Sequence, residues 1–308
     1  MTIDLSISIG YTNQTMNIRD LKYLIAVAET EHFGQAAARC HVSQPTLSMQ
    51  IKKLEDELGV QFFERTNKSV MITPIGKALA AQARQILGEI NTLKQIANNA
   101  KDPFSGEFRL GIIPTMGPYL LPKLLPIIKK HLPKIDIIVY ENKSHIILNE
   151  LRSGLLDAII LALPVNEDGL TAQELFEEPF LLALPKQHPL AKKTSIQLKD
   201  IENEELLLLE EGHCLRDQAL EVCGMVGAKD RSGFKATSLE TLRHLVASGA
   251  GMTLLPKMAI QKSNTTIALK PFTKPIPIRK VGMVWRQNSA RLPCCEKMLS
   301  LFREIQPY

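Results

Sequence analysis

Apolar positions near the start of the chain recur at helical spacing. Leu21, Leu24, Ile25 and Ala28 fall at i, i+3, i+4 and i+7, which predicts an amphipathic helix. A second short helix is expected over about Phe33 to Cys40, followed by a tight break at His41 and Val42. Ser43 then offers an N-cap and Pro45 suits a first turn, so a third helix should run to Leu58 with Gly59 as its stop. Its apolar stripe is Leu47, Ile51, Leu54 and Leu58; its opposite face carries Gln44, Thr46, Ser48, Gln50, Lys52 and Lys53. The run Phe62 to Arg65, the polar turn Thr66-Asn67-Lys68-Ser69 and Val70 to Ile72 read as a small hairpin. Two helices, a short turn, a polar helix start and a hairpin form a winged helix-turn-helix pattern, a DNA-binding arrangement. A plain helical bundle with solvated charges is the alternative.

Thr73-Pro74 opens a long helix through about Asn98. Ile75, Leu79, Ala83, Ile86, Ile90, Leu93 and Ala97 recur in steps of three and four, close to a heptad seam. A partner helix, and so a dimer that reads paired half-sites, is expected; a helix packed only on its own domain is the other possibility. After Lys101-Asp102-Pro103 the pattern changes. Strands are expected at Phe108 to Ile113, Ile135 to Tyr140 and Asp157 to Leu163, with helices at Gly117 to Lys130 and His145 to Ser153. This alternation predicts parallel βαβ units. A second set follows: Pro179 to Leu184, a helix opened near His213, Ser238 to Ser248, and Met252 to Leu255. Val281 to Trp285 and a helix over Pro293 to Ile305 close the chain. The expected domains are an extension (1–16), the winged helix-turn-helix (17–75), a linker helix (76–102) and an α/β regulatory domain (103–308). One lobe of that domain would take 103–178 and 281–308, the other 179–280, with a ligand cleft between them.

Composition narrows this little. With 308 residues, 45% hydrophobic and 22% charged, the chain is neither disordered, collagen-like nor a disulfide scaffold. Its greasiest stretch, Leu206 to Leu209, is far too short to span a bilayer. The first fifteen residues lack the features of a signal peptide and read as a flexible extension, so the chain is expected in the cytosol with its five cysteines reduced. A net charge of +5 mildly favours a polyanionic partner. There is no CxxC or Cys/His cluster, GxGxxG, P-loop or GxSxG, so neither a metal nor a cofactor is expected.

Several segments together resemble the LysR-type transcriptional regulators: Phe33-Gly34-Gln35-Ala36-Ala37, Val42-Ser43-Gln44-Pro45-Thr46-Leu47-Ser48, Ile51-Lys52-Lys53-Leu54-Glu55, Leu58-Gly59-Val60, Phe63-Glu64-Arg65 and Thr73-Pro74-Ile75-Gly76. The resemblance covers everything after residue 16. It extends to the family's hydrogen-peroxide-sensing activators through Ile113-Pro114-Thr115, Gly117 to Pro122, Glu211 to Ala219 and Ala236 to Arg243. The resemblance implies a bilobed α/β regulatory domain like a periplasmic binding protein, a homotetramer, promoter DNA and RNA polymerase as partners, and resetting by glutaredoxin or thioredoxin. It makes Cys214 the peroxidatic cysteine and Cys223 its resolving partner, with Thr115 and Ser144 holding peroxide. The family usually has Thr at the second position, so Ser144 keeps the hydroxyl and loses a methyl.

Cys214 follows Gly212-His213 and opens a helical stretch, Leu215 to Val222. A helix N-terminus, Arg216 and, if it is protonated, His213 would favour the thiolate, the species that attacks an O–O bond. An inert buried thiol is the alternative. Cys223 lies nine residues on, roughly 13 Å along an intact helix, whereas a disulfide needs Cα atoms within about 7 Å. The bond therefore requires that segment to unwind, eased by Gly224 and Gly227. Asp217 and His145 join the expected pocket, although His145 reads equally as a helix-start residue. Cys40 is expected as core packing, and Cys294-Cys295 as ordinary thiols. On DNA, Gln44 is placed for base edges, while Ser43, Thr46, Ser48, Lys52, Lys53 and Arg65 would position the backbone; Pro45 belongs to the same DNA-binding helix start. Three rivals remain: a regulator binding a metabolite through Thr115, Thr237 and Ser238, a thiol peroxidase, and a solute-binding protein.

Overall fold

The structure, a computed structural model, describes residues 16–65, 70–99, 102–202, 204–226, 229–260 and 266–305; for residues 65, 95, 98–99, 222–226 and 229–235 it describes the backbone alone. The expected extension and the tip of the hairpin lie outside these residues. The chain forms two compact units that meet between Asn91 and Thr92.

The first unit contains α1 (Ile18–Thr30), α2 (Phe33–Arg39), α3 (Gln44–Leu58), the hairpin strands β1 (Phe63–Arg65) and β2 (Val70–Ile72), and the start of α4 (Pro74–Asn99). Asn17 caps α1 in a capping box with Asp20, satisfying amides that a helix start leaves unpaired. Between α2 and α3 the chain reverses through His41 at φ 55, the sharp turn of the helix-turn-helix. Gly59 ends α3 at φ 68, a conformation costly to any residue with a Cβ. The Glu55 carboxylate then accepts the Phe62 and Phe63 amides at 2.8 and 3.2 Å, tying α3 to the hairpin. Leu24, Val27, Ala36, Leu47, Ile51 and Phe62 form the core. Ala80 and Ala83 of α4 are buried in that same core, with Leu79 and Ile86 packed against it. The first turns of the heptad-like seam thus serve their own unit, while Leu93 and Ile96 further along α4 stand 69% and 60% exposed.

The second unit runs β3 (Gly106–Ile112), α5 (Gly117–His131), β4 (Ile135–Glu141), α6 (Ser144–Arg152), β5 (Ala158–Leu163), β6 (Leu170–Pro185), β7 (Glu205–Leu209), α7 (Cys214–Val226), β8 (Lys229–Ala236), α8 (Leu239–Ala247), β9 (Thr253–Pro256), β10 (Ile267–Pro271), β11 (Ile278–Arg286) and α9 (Leu292–Arg303). The parallel βαβ expectation holds for β3, which pairs in parallel with β4 and β5, and for β7 with β8. It does not hold for β9, which runs antiparallel to β6; β10, which was not expected, is also antiparallel to β6, and β11 is antiparallel to β5 and β6. The sheets are therefore mixed.

β6 is also much longer than the stretch expected from Pro179 to Leu184. Its first part pairs with β11 up to Pro179, and its second part, from Phe180, pairs with β9 and β10. One strand thus belongs to both lobes. The first lobe packs around Phe108, Leu110, Ile112, Ile160 and Trp285. The second packs around Leu182, Leu206, Leu207, Leu242 and Val246, each fully buried aliphatic side chain contributing roughly 2 kcal/mol. No helix among the described residues is long and apolar enough to cross a membrane.

Candidate functional site

Cys214 is the first residue of α7 and is half-buried. Its side chain packs against the first lobe's core, whereas Leu215 and Ala219, on the same helix, belong to the second lobe's core. The thiol therefore sits on the seam between lobes. α7 is continuous through Cys223, so the nine-residue rise leaves the two Cα atoms roughly 13 Å apart. Cys214 is a free thiol; the Cys223 side chain lies outside the described residues.

The loop leading into α7 is held from both sides. The Glu210 amide donates to the Ala236 carbonyl at 2.9 Å, and Arg216 reaches back to donate to the Leu209 carbonyl at 3.0 Å. From the first lobe, Lys143 places its Nζ 2.5 Å from Glu210 Oε1 and donates to the Glu211 carbonyl at 3.1 Å. Gly212 has φ +89, and a Cβ there would stand 3.1 Å from Lys143 Cδ and 3.3 Å from the His145 ring. Both the backbone angle and the close approach call for glycine.

His213 is buried, and its pKa is lowered first by that burial, then by the Lys143 ammonium, with Glu210 opposing. This direction disfavours the protonated form, the condition on which His213 was expected to add positive charge. Its Nε2 lies 3.9 Å from Glu210 Oε1, too far for a hydrogen bond. Asp217 is exposed in the first turn of α7. His145 is exposed too, with its ring over Gly212.

Two hydroxyls come from the first lobe. Thr115 is 3% exposed, and its Oγ1 accepts from Arg279 Nη1 at 3.1 Å while its carbonyl accepts from Nη2 at 3.3 Å. Arg279 is bound in turn to Glu178, with both side chains fully buried: Nε and Nη2 each stand 2.7 Å from Oε2. Glu178 Oε1 accepts the Met258 amide at 2.6 Å, which completes the network. Because Thr115 Oγ1 already accepts from the guanidinium, its own proton is free to point elsewhere. Ser144 opens α6, and its buried Oγ has no hydrogen-bond partner. A buried hydroxyl left this way costs about 1–3 kcal/mol, which a bound hydrogen-bonding ligand would recover.

In the first unit, α3 presents Ser43, Gln44, Pro45, Thr46, Lys52 and Lys53 exposed, with Ser48 half-buried. Ser43 is also the N-cap, its Oγ accepting the Thr46 amide at 3.3 Å. The Arg65 side chain lies outside the described residues. Cys40 is half-buried at the end of α2, and burial raises its thiol pKa. Cys294 and Cys295 are fully buried; burial pushes the first to about 11 and the second well above its ordinary value.

A bacterial regulatory helix-turn-helix of the lysR family matches residues 18–77, and a LysR substrate binding domain matches 101–306. The chain belongs to the LysR family. Within it, the relatives place the chain in the OxyR branch. It is 47% identical over 276 residues to the Escherichia coli DNA-binding transcriptional dual regulator OxyR, covering 89% of this chain and 90% of that one. A full-length OxyR variant from Pseudomonas aeruginosa superposes with a TM-score of 0.70 at 40% identity, over 96% of this chain and 97% of that one. A hydrogen-peroxide-bound OxyR mutant from Corynebacterium glutamicum gives 0.64 at 30% identity, over 95% and 93%.

Reading a LysR chain by local motif finds Cys214, Thr115 and Ser144 but misses Glu178, Arg279, Lys143 and Glu210. The first two face each other in the β6–β11 register, 101 residues apart in sequence. Their only local signal is a charge inside an otherwise strand-like run.

Proposed function

We propose that this protein is a cytosolic DNA-binding transcriptional regulator that senses hydrogen peroxide through Cys214, with Cys223 as resolving thiol. The observation that carries the reading is the seam itself. Cys214 opens a helix of one lobe against the core of the other, and the loop before it abuts the turn that holds the unpartnered Ser144 hydroxyl. The sulfur of the Cys214 thiolate attacks one peroxide oxygen, the O–O bond breaks, and the second oxygen leaves as hydroxide and is protonated to water. Thr115, its acceptor side held by Arg279, and Ser144 orient the peroxide and donate to the departing oxygen. The Cys223 sulfur then displaces hydroxide from the sulfenic acid, forming the S–S bond and a second water. Two electrons have passed from two thiols to one peroxide, and a dithiol such as glutaredoxin or thioredoxin returns them.

Because α7 spans both cysteines, bond formation must unwind it, which couples oxidation to the packing of the second lobe. On DNA, Gln44 reads base edges while Thr46, Ser48, Lys52, Lys53 and Arg65 hold phosphates. The exposed Leu93 and Ile96 of α4 support pairing with a second copy, and a dimer of dimers would recruit RNA polymerase at promoter DNA. The metabolite reading has less to rest on: Ser238 is committed to capping α8, its Oγ accepting the Thr241 amide and sharing a second hydrogen bond with Thr241 Oγ1.

The test is peptide mapping after stoichiometric peroxide, with DNA footprinting under the same conditions. A Cys214–Cys223 bond and a changed footprint are expected. Neither bond nor change would overturn the reading in favour of a metabolite. Ser144→Ala sharpens the test: sulfenic acid formation should slow roughly ten- to hundredfold, with no loss of stability, because the hydroxyl removed has no partner in the folded protein.

A further inference from the structure

The contact between Lys143 and the segment before Cys214 belongs to no motif and is not needed by the helix it sits on. Lys143 occupies the N-cap position of α6, yet its side chain makes no cap hydrogen bond. It extends instead to the other lobe, where two of its three donors meet the Glu210 carboxylate and the Glu211 carbonyl. We propose that Lys143 is a positioning residue of the thiol switch: its grip on Glu210 and Glu211 holds the approach to Cys214 against the first lobe and so favours the dithiol, helical form.

The argument is geometric and rests on the peroxide-sensing reading given above. The Cα atoms of Cys214 and Cys223 must close from roughly 13 Å to about 7 Å before an S–S bond can form. Cys214 is the end of α7 tethered to the seam. Between it and the end of β7 at Leu209 lie only four residues, and Glu210 is already tied to β8 through its amide. Any displacement of Cys214 towards Cys223 is transmitted within this short span to Glu211 and Gly212, where Lys143 holds the chain. The contact is half-exposed, so it is a modest bias and not a lock: the side chains of Lys143 and Glu210 are 29% and 32% exposed.

The experiment equilibrates the full-length chain in glutathione redox buffers and separately times sulfenic acid formation and disulfide closure by quenched trapping. Lys143→Gln should shift the equilibrium towards the disulfide by about threefold, ~14 mV for a two-electron couple, and speed closure while leaving sulfenic acid formation unchanged. Glu210→Gln should give a shift in the same direction. The double variant should add little, because both substitutions break one contact. Lys143→Arg should retain most of the wild-type value. A wild-type disulfide whose constant is unmoved by Lys143→Gln and Glu210→Gln would overturn the inference alone. Absence of any Cys214–Cys223 bond in the wild type would overturn both it and the reading beneath it.

Discussion

At the scale of single residues, burial decides which groups carry charge. His213 precedes Cys214 and reads in sequence as a source of positive charge if protonated, but desolvation and the nearby Lys143 lower its pKa. The sign of the consequence follows. Between the lowered folded value and the unfolded value near 6.5, the unfolded chain binds the extra proton, so acid favours unfolding. The stability linked to His213 is complete above about pH 6.5 and is lost as pH falls through the folded value. Urea unfolding followed by the fluorescence of Trp285, the single tryptophan, should show this. The midpoint should fall between about pH 7 and 5 in the wild type and fall less in His213→Gln; an equal slope in both would refute the assignment. Cys214 and Thr115 were legible because they sit in local motifs, and Ser144 because it corresponds to a family position. The network behind them was not, because Arg279 meets Glu178 and Thr115 only through strand pairing and chain crossover, across 101 and 164 residues. Side-chain identity also says nothing of protonation until burial is known.

At the scale of elements, periodicity located nearly every helix, because a buried stripe at helical spacing is a local property. It located the strands less well. β6 begins at Leu170, but its first half carries Glu174 and Glu177 outward to Lys280 and so lacks the uniformly apolar run of a buried strand. The direction of β11 was not legible, because periodicity carries no direction and the strand returns from the far end of the chain to pair antiparallel with β5. α7 was legible both as a helix and as an obstacle to the disulfide, and that obstacle has a measurable size. Helix formation and Cys214–Cys223 bonding compete, so helix propensity at an exposed site should appear in the thiol–disulfide equilibrium. Glu221 is exposed within α7. Gly is about 1 kcal/mol less favourable than Ala in a helix interior. The Glu221→Gly protein should therefore have a midpoint potential roughly 20 mV more negative than the Glu221→Ala protein. Equal potentials would mean that α7 does not unwind when the bond forms.

At the scale of the whole molecule, chemistry in one compact unit has to be expressed through contacts made by the other, and the two can be separated by salt. A net charge of +5 spread over 308 residues does not explain tight DNA binding; what matters is the local row of cations on the recognition face. Lys52 and Lys53 stand exposed along α3, beyond the polar helix start that would meet base edges. If they hold phosphates, each binds by releasing condensed counterions, and each contributes about 0.9 to the slope of log affinity against log salt. Lys53→Ala in a dimer would then reduce that slope by about 1.8, one contact per half-site, and weaken cognate and random duplexes alike. Gln44→Ala should do the opposite, leaving the slope unchanged and removing about 1–3 kcal/mol from cognate binding only. Fluorescence anisotropy across a salt series, on the reduced and the peroxide-treated protein, measures both quantities. Peroxide should change how many half-sites are engaged and therefore the total slope, while the effect of Lys53→Ala per engaged half-site stays the same. A per-site effect that differs between the two redox forms would mean that oxidation remodels the DNA-binding unit itself, and the division of labour between the two units would have to be abandoned.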